Sequence, residues 1–330
     1  MHSENLRAAL VAAGHKAEIV AIPFKWYPPE RILETMLACR LLDLEEANGR
    51  RIDLVIGLKF PAYLIPHSNK VLWILHQHRT AYEQWDHDLG DMIQYPNGRE
   101  VRDAIRAADR KLIPEAKRIY SNSQNVRARL QRFCGIDSSP LYHPPLNAEA
   151  FRCEQSEDYL LFPSRINRAK RQLLAIQALG RTSSSIQLVF CGESEEVAYD
   201  AEIEREIDAL GLRDRVRFCG HVKEKEKLTL YARSLGVIYL PFDEDYGYVT
   251  LEAMLARKPV ITCTDSGGPL EFVLHGVTGL AAVSNPESVA RAIDQLVGDK
   301  EVAKEMGIAG WQRYHEMNIS WETVVAELTS

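Results

Sequence analysis

No apolar run in this 330-residue chain approaches the roughly 18 to 20 residues that span a bilayer. Nor does its opening, MHSENLRAAL, contain the basic region and apolar stretch of a secretory leader. These absences point to a soluble polypeptide and leave peripheral association with a membrane surface open, and the cysteines point to the cytoplasm. The six cysteines (Cys39, Cys134, Cys153, Cys191, Cys219 and Cys263) include no C-x-x-C pair, which removes the common zinc and thioredoxin-like spacings. Several fall in apolar, strand-like runs, so they read as reduced core residues. There is no surplus of positive charge: the formal net charge is −6, which disfavours a nucleic-acid role. There is also no fixed-period repeat and no low-complexity tract. What remains is a chain of 46% hydrophobic residues, too long for one ordinary core and sufficient for two α/β domains.

Short β-branched runs alternate with helical patterns, the rhythm of βα units and parallel sheets. In the first half the strand candidates are 17–23, 52–58, 70–76, 118–123 and 139–145. Helical patterns lie at SENLRAALVAAG, PPERILETMLACRLLDLEEANG and NVRARLQRFCG, the last ending in a glycine C-cap. In the second half the runs are 159–164, 186–192, 215–220, 236–241, 259–263 and 279–283. They are almost continuously apolar, as expected where helices cover both faces of a sheet. The polar stretch 147–158 separates the two series. The expected fold class is α/β, two Rossmann-like doubly wound domains facing across a cleft.

The stretch PFDEDYGYVTLEA (241–253) follows the predicted strand 236–241 and carries Glu244 and Glu252 around Gly247. A glycine before a helix lets a ligand approach the backbone. The N–H groups of Tyr248, Val249 and Thr250 at the helix start favour an anion. Two solvated glutamates on a surface helix are the plain alternative, but carboxyl ends of parallel strands are where open α/β sheets bind ligands. Asp243, Glu244 and Asp245 also fit a short metal-binding element, the minor reading because the helix start already supplies donors to a phosphate.

In SRINRAK, Arg165 follows a predicted strand and Lys170 lies in the first turns of the next helix. Two cations there can hold a diphosphate as it gains charge. Solvation of a helix start is the alternative, and Arg168 and Arg171 are equally basic. TDSGGPLEFV places Gly267 and Gly268 in a third loop, either as further N–H donors or as a tight turn. In the first half His76 ends the predicted strand 70–76. His76, His78, His87, Asp86 and Asp88 match no metal-ligand spacing. The segment 80–96 reads as a cleft loop suited to a variable substrate.

The ordered set SRINRAK, EDYGYVTLEA and SGGPLEFVLHGVTG resembles family 4 of the retaining glycosyltransferases, which have the GT-B fold, most strongly from about Tyr159 to Leu280. The stretch LVIGLKFPAYLIPHSNKVLWILHQHRTAYE is similar to members acting in bacterial surface-polysaccharide assembly. The resemblance implies a UDP- or GDP-linked sugar donor, a glycan or lipid-linked acceptor, retention of configuration, and neither cofactor nor catalytic metal. Arg165 and Lys170 match the family's diphosphate pair, with Gly247, Tyr248, Val249 and Thr250 beside them. Glu252 matches the ribose ligand, Glu244 the residue that orients the transferred sugar, and His76 the histidine near its anomeric carbon. Gly192, Gly267 and Gly268 are additional donor contacts, though the CGES turn is less glycine-rich than in relatives.

Relatives open with a strand and a glycine-rich loop before the first helix, and here the sequence opens on the helix, so the first domain is expected to lack its first strand. The expected domains are 1–152 on the acceptor side, 153–310 on the donor side, and a helix at 311–330 packing back on the first domain. Two alternatives stay open: a donor-binding pseudo-enzyme, and a nucleotide-sugar epimerase of the same fold.

Overall fold

The first helix runs over His2–Ala12 (α1) in the computed structural model, which describes residues 2–330. Leu6 and Leu10, one turn apart, carry its buried face. The strand expected at 17–23 does not form. Among the described residues this segment joins no ladder, and Ile19 and Val20 are 38% and 56% exposed. β propensity alone does not make a strand, because backbone N–H and C=O groups need a neighbouring strand to pair with. The next helix, Glu30–Leu41 (α2), stops short of the expected Gly49. Asn48 and Gly49, both at positive φ, instead turn a small hairpin of Glu46–Ala47 (β1) and Arg50–Arg51 (β2), the Asn-Gly signal winning over helical periodicity.

Then follow Val55–Lys59 (β3), Lys70–His76 (β4), Gly98–Leu112 (α3), Arg118–Ser121 (β5), Gln124–Cys134 (α4) and Ser139–Pro140 (β6). Helix α4 ends as expected, with Gly135 closing it at φ 70°, and at its start Ser123 accepts from the Val126 N–H. The four strands form a parallel sheet in the order β3-β4-β5-β6. Strand β4 shows how both faces are covered. Val71 and Trp73 pack with Leu6, Leu10 and Val324, while Leu72 and Ile74 pack with Ile32, Val101, Ile105 and Val126. That is the two-residue period of a strand buried on both sides.

The second series comprises Tyr159–Pro163 (β7), Gln172–Leu179 (α5), Gln187–Cys191 (β8), Val197–Ala209 (α6), Val216–Phe218 (β9), Glu224–Arg233 (α7), Gly236–Ile238 (β10), Tyr248–Leu255 (α8), Val260–Cys263 (β11), Gly279–Ala282 (β12), Pro286–Gly298 (α9) and Lys300–Glu316 (α10). All six strands are parallel, in the order β12-β11-β10-β7-β8-β9. The winding reverses between β7 and β10, opening a crevice at their carboxyl ends.

The chain divides into two units. One runs to His143 and takes in Ser320–Ser330, including the terminal helix Trp321–Thr329; the other is Pro144–Ile319. Cys39, Cys191 and Cys263 are buried as expected, but Cys153 is exposed, lying in the polar connection before β7. Among the described residues no helix is long and apolar enough to cross a membrane.

Candidate functional site

The reversal between β7 and β10 brings two of the charged candidates together. The segment after β7 ends in a short turn, 168–170, whose Asn167 side chain accepts from the Lys170 N–H. Lys170 therefore precedes α5 rather than lying inside it, and Arg171 takes the left-handed conformation at φ 59° to begin that helix. The segment after β10 runs alongside, with the Phe242 N–H donating to the Ala169 carbonyl at 2.8 Å. The Lys170 ammonium then donates to the Glu244 carboxylate and, at 3.1 Å, to the Tyr239 hydroxyl. Burial, followed by the Glu244 charge, pushes the Tyr239 hydroxyl well above its usual range, so it stays protonated.

Glu244 is fixed by its backbone. Its N–H donates to the Ser266 carbonyl and its carbonyl accepts from the Gly268 N–H, each at 2.8 Å. This ties the loop 243–247 to the loop 264–268. Gly268 is required by close approach, since a Cβ there would meet the Tyr246 carbonyl oxygen at 2.6 Å. Its N–H is consumed by the tie, so the expectation of a donor for a ligand fails at Gly268. Gly267 bridges directly to Glu244.

Gly247, at φ 91°, starts α8. The Thr250 N–H turns back to the Gly247 carbonyl at 3.0 Å and is not available to an anion as expected. A helix that tightens its first turn satisfies its own amide before any ligand arrives. Glu252, one turn in, accepts from Lys227 at 3.0 Å and from the Tyr231 hydroxyl at 2.7 Å, both on α7. Burial pulls the Lys227 ammonium down, but Glu252 and Glu224 outweigh it and hold the group above its usual value. The carboxylate is thus oriented by a fixed cation and a fixed hydroxyl.

Arg165 stands apart from this pair. Its exposed guanidinium meets Glu195, which also accepts from Asn167 at 2.6 Å. The two basic neighbours serve as ties: Arg171 holds Asp265 bidentately at 2.8 Å, and Arg168 reaches Glu196 and Glu202. Gly192, at φ 151°, lies where a Cβ would be 2.0 Å from the Ser164 carbonyl oxygen. Its N–H donates to the Gly220 carbonyl at 2.8 Å and, like that of Gly268, is spent within the protein. Beside it opens a cavity of about 630 Å³ bounded by Ile166, Gly192, Glu193, Phe218 and Gly220. Phe218 stacks on Phe190 at 5.0 Å between ring centres and presents an aromatic wall.

In the other unit His76 ends β4, half-buried, with its Nδ1 2.8 Å from the Gln77 carbonyl oxygen, an arrangement suited to a donating Nδ1–H. Neither the acidic triplet nor the His76–Asp88 group gathers three metal-binding side chains, among the described residues. The sequence reading missed Lys227 and Tyr231, although their four-residue spacing places them on one face of α7. It missed Tyr239, which sits in a run that looks like plain core strand, and Glu195.

Of the comparisons with known proteins, the family model falls within this second unit, and the solved structures span both. The family model described as Glycosyl transferases group 1 matches residues 147–313. The human alpha-1,3/1,6-mannosyltransferase ALG2 is 32% identical over 205 residues, 55% of this chain and 49% of its own length. The N-acetyl-alpha-D-glucosaminyl L-malate synthase of Bacillus anthracis is 26% identical over 290 residues, 85% of this chain and 73% of its own. The chain spans about half the length, or less, of the mannosyltransferases it matches. In fold it resembles sucrose-phosphate synthase from Thermosynechococcus elongatus, with a TM-score of 0.79 at 17% identity over 99% of this chain and 91% of that one. It also resembles Anabaena HepE in complex with UDP and glucose, with a TM-score of 0.69 at 17% identity over 98% and 87%. With its parallel sheet reversing at β7 and β10, and a family match across more than half its length, the chain belongs to the group 1 glycosyltransferases.

Proposed function

We propose that this protein transfers a hexose from a nucleoside-diphosphate sugar to a glycan or lipid-linked acceptor, with retention of configuration and without a catalytic metal, from the cytoplasmic side. The observation that carries the proposal is the pair of carboxylates around Gly247, each already oriented by a lysine and a tyrosine at the point where the sheet reverses. A carboxylate accepts hydrogen bonds from vicinal hydroxyls, and two of them eight residues apart on a turn and a helix suit two ring systems of one donor. Glu252 holds the ribose hydroxyls and Glu244 the hydroxyls of the sugar. Arg165 and Lys170 receive the diphosphate, with the amides at the start of α8, and stabilise its charge as the glycosidic bond breaks. Lys170 exchanges part of its bond to Glu244 for the phosphate, leaving that carboxylate to the sugar. His76 contacts the sugar near the reacting carbon.

The names of the relatives support this reading: mannosyl transfer by ALG2 and the binding of UDP and glucose by HepE are activities of the proposed kind. Titration calorimetry with UDP and GDP, paired with donor turnover, tests it. Glu252→Ala is expected to weaken nucleotide binding about 10- to 100-fold, the loss of one or two charge-assisted hydrogen bonds. Glu244→Ala is expected to lower turnover at least about 100-fold, as for loss of a preorganised polar contact in a reacting complex, with nucleotide affinity nearly unchanged. Equal, small effects of both substitutions would return the glutamates to a solvated helix face.

A further inference from the structure

The unit that carries His76 also holds a cavity of 190 Å³ that the donor chemistry does not use. Its walls are two aromatic side chains that folding leaves in water: Trp26, 54% exposed, and Tyr95, 36% exposed. Its polar edge is made by Asp91, Thr80 and His78. The His78 ring is set against Phe24 and Phe60, at 6.0 and 5.3 Å between ring centres, and the Thr80 hydroxyl lies 3.2 Å from its Nε2. Burial, and then the neighbouring His76, lower the His78 pKa to about 4, so at neutral pH the ring is uncharged and can both donate and accept.

The chemistry narrows the occupant. Neither lysine nor arginine lines the cavity, and Asp91 stands at its edge, so an anionic group such as a carrier phosphate is disfavoured. A hydrocarbon chain would set an apolar surface against the Asp91 carboxylate and the His78–Thr80 pair and use none of their hydrogen-bonding capacity. A ring with one C–H face and a rim of hydroxyls satisfies both kinds of wall: the face lies on the aromatic surface while the rim meets the carboxylate, hydroxyl and imidazole. We infer that this cavity is a pyranose subsite that seats the terminal sugar of the acceptor, making the acceptor a glycan end rather than a bare lipid or a small alcohol. The inference rests on the transferase reading above and names its acceptor class. The sugar ring is the same whether the glycan is free or carried on a lipid.

The test uses the full chain and a panel of free trisaccharides ending in mannose, glucose or N-acetylglucosamine. The same glycans are also presented on a prenyl diphosphate in phosphatidylcholine vesicles, with glycan-free carrier vesicles as a third arm. Saturation-transfer NMR and tryptophan fluorescence read binding. At least one glycan is expected to bind through its terminal ring protons, in the free arm, the carried arm or both. Trp26→Ala should weaken that binding at least about tenfold, whereas Trp26→Phe, which keeps a stacking face, should recover most of it. UDP and GDP binding should not change in either variant, and hydrogen exchange over residues 2–143 matching that of the wild type shows that both fold.

The inference is overturned if no glycan binds in either arm, or if Trp26→Ala binds as tightly as the wild type. It is equally overturned if glycan-free vesicles bind with the same dependence on Trp26. Failure of the wild type to bind UDP or GDP would instead sink the transferase reading, and the sugar titration would still decide the cavity.

Discussion

The two units differ in the ionisable groups they gather near their strand ends. In residues 144–319 the charged side chains at the strand ends meet in pairs: Lys170 with Glu244, Lys227 with Glu252, Arg165 with Glu195, Arg171 with Asp265. In the unit that runs to His143 three histidines, His2, His78 and His143, are kept uncharged by burial. Burial brings His2 and His78 to about 4 and carries His143 well below its ordinary value. The same burial raises Asp109 to about 6. The first arrangement suits a ligand of fixed charge, which can take the place of one partner in such a pair. The second suits a neutral ligand recognised by shape and hydrogen bonds. The contrast implies that ionic strength and nucleotide act on one unit, and mild acid on the other.

The strongest way to break the contrast is to remove Asp109. This fully buried carboxylate on α3 accepts from the Tyr63 hydroxyl at 2.9 Å, the Tyr82 hydroxyl at 2.7 Å and the Gln77 amide at 3.0 Å. It thereby anchors the segment that follows His76 at the end of β4 and carries His78 and Thr80 of the sugar cavity. Asp109→Ala takes the acceptor from the buried Tyr63 and Tyr82 hydroxyls and from one N–H of Gln77, and is expected to cost about 3 to 5 kcal/mol, the range for a broken buried network. Asp109→Asn, which still accepts, should lose much less. Hydrogen exchange read separately over residues 2–143 and 144–319 checks it: lost protection confined to the first supports the contrast, and equal loss in both refutes it.

Asp109 also marks where the sequence stopped being readable. The parallel strands were legible because buried β-branched runs at βα spacing leave few alternatives, and PFDEDYGYVTLEA was legible because strand, glycine and helix follow one another locally. Asp109 sits in GREVRDAIRAADRKL, a strongly amphipathic charged helix in which one aspartate cannot be told from its solvated neighbours. Its partners lie 27, 32 and 46 residues away. The same distance hid Tyr239 from Lys170 and Lys227 from Glu252. Residues 17–23 failed for the converse reason: their local pattern is a good strand, and a ladder partner is not a local property.

Acid is the next test. His2 and His78 have folded values near 4 against an ordinary 6.5, so the native state binds fewer protons than the unfolded one. Their contribution is therefore present above pH 6.5 and is lost as pH falls towards 4. His143 adds in the same direction. Asp109, raised from 3.8 to about 6, runs the other way and gains stability as pH falls through 6. From pH 7 to 5 His2 and His78 together outweigh it, by about 2 kcal/mol. In residues 144–319 the half-buried Asp265 is instead held below its ordinary value. Burial raises it, but Arg171 outweighs that, so its contribution is lost only below about pH 4. Unit-resolved exchange at pH 7 and pH 5 should show the first unit loosening while the second is unchanged, and a common decline would contradict this.

The smallest effect separates space from backbone strain, with one glycine in each unit. Gly192 and Gly135 both have positive φ, 151° and 70°. At Gly135 a Cβ would meet nothing within 4 Å, so Gly135→Ala should cost only the left-handed strain, about 1 kcal/mol. At Gly192 the Cβ would fall 2.0 Å from the Ser164 carbonyl oxygen and 3.0 Å from the Arg165 nitrogen. That is backbone, which cannot swing aside as a side chain can. Gly192→Ala must push the loop after β8 away from the loop after β7, and with it Glu195 from Arg165. The expected cost is about 2 to 3 kcal/mol, or a fall of roughly 5 to 10 °C in the melting of that unit. The KM for the donor should rise while sugar binding at Trp26 is untouched. If the two alanines prove equally mild, the close approach at Gly192 is relieved by a small loop shift, and the donor side is more pliable than its ion pairs imply.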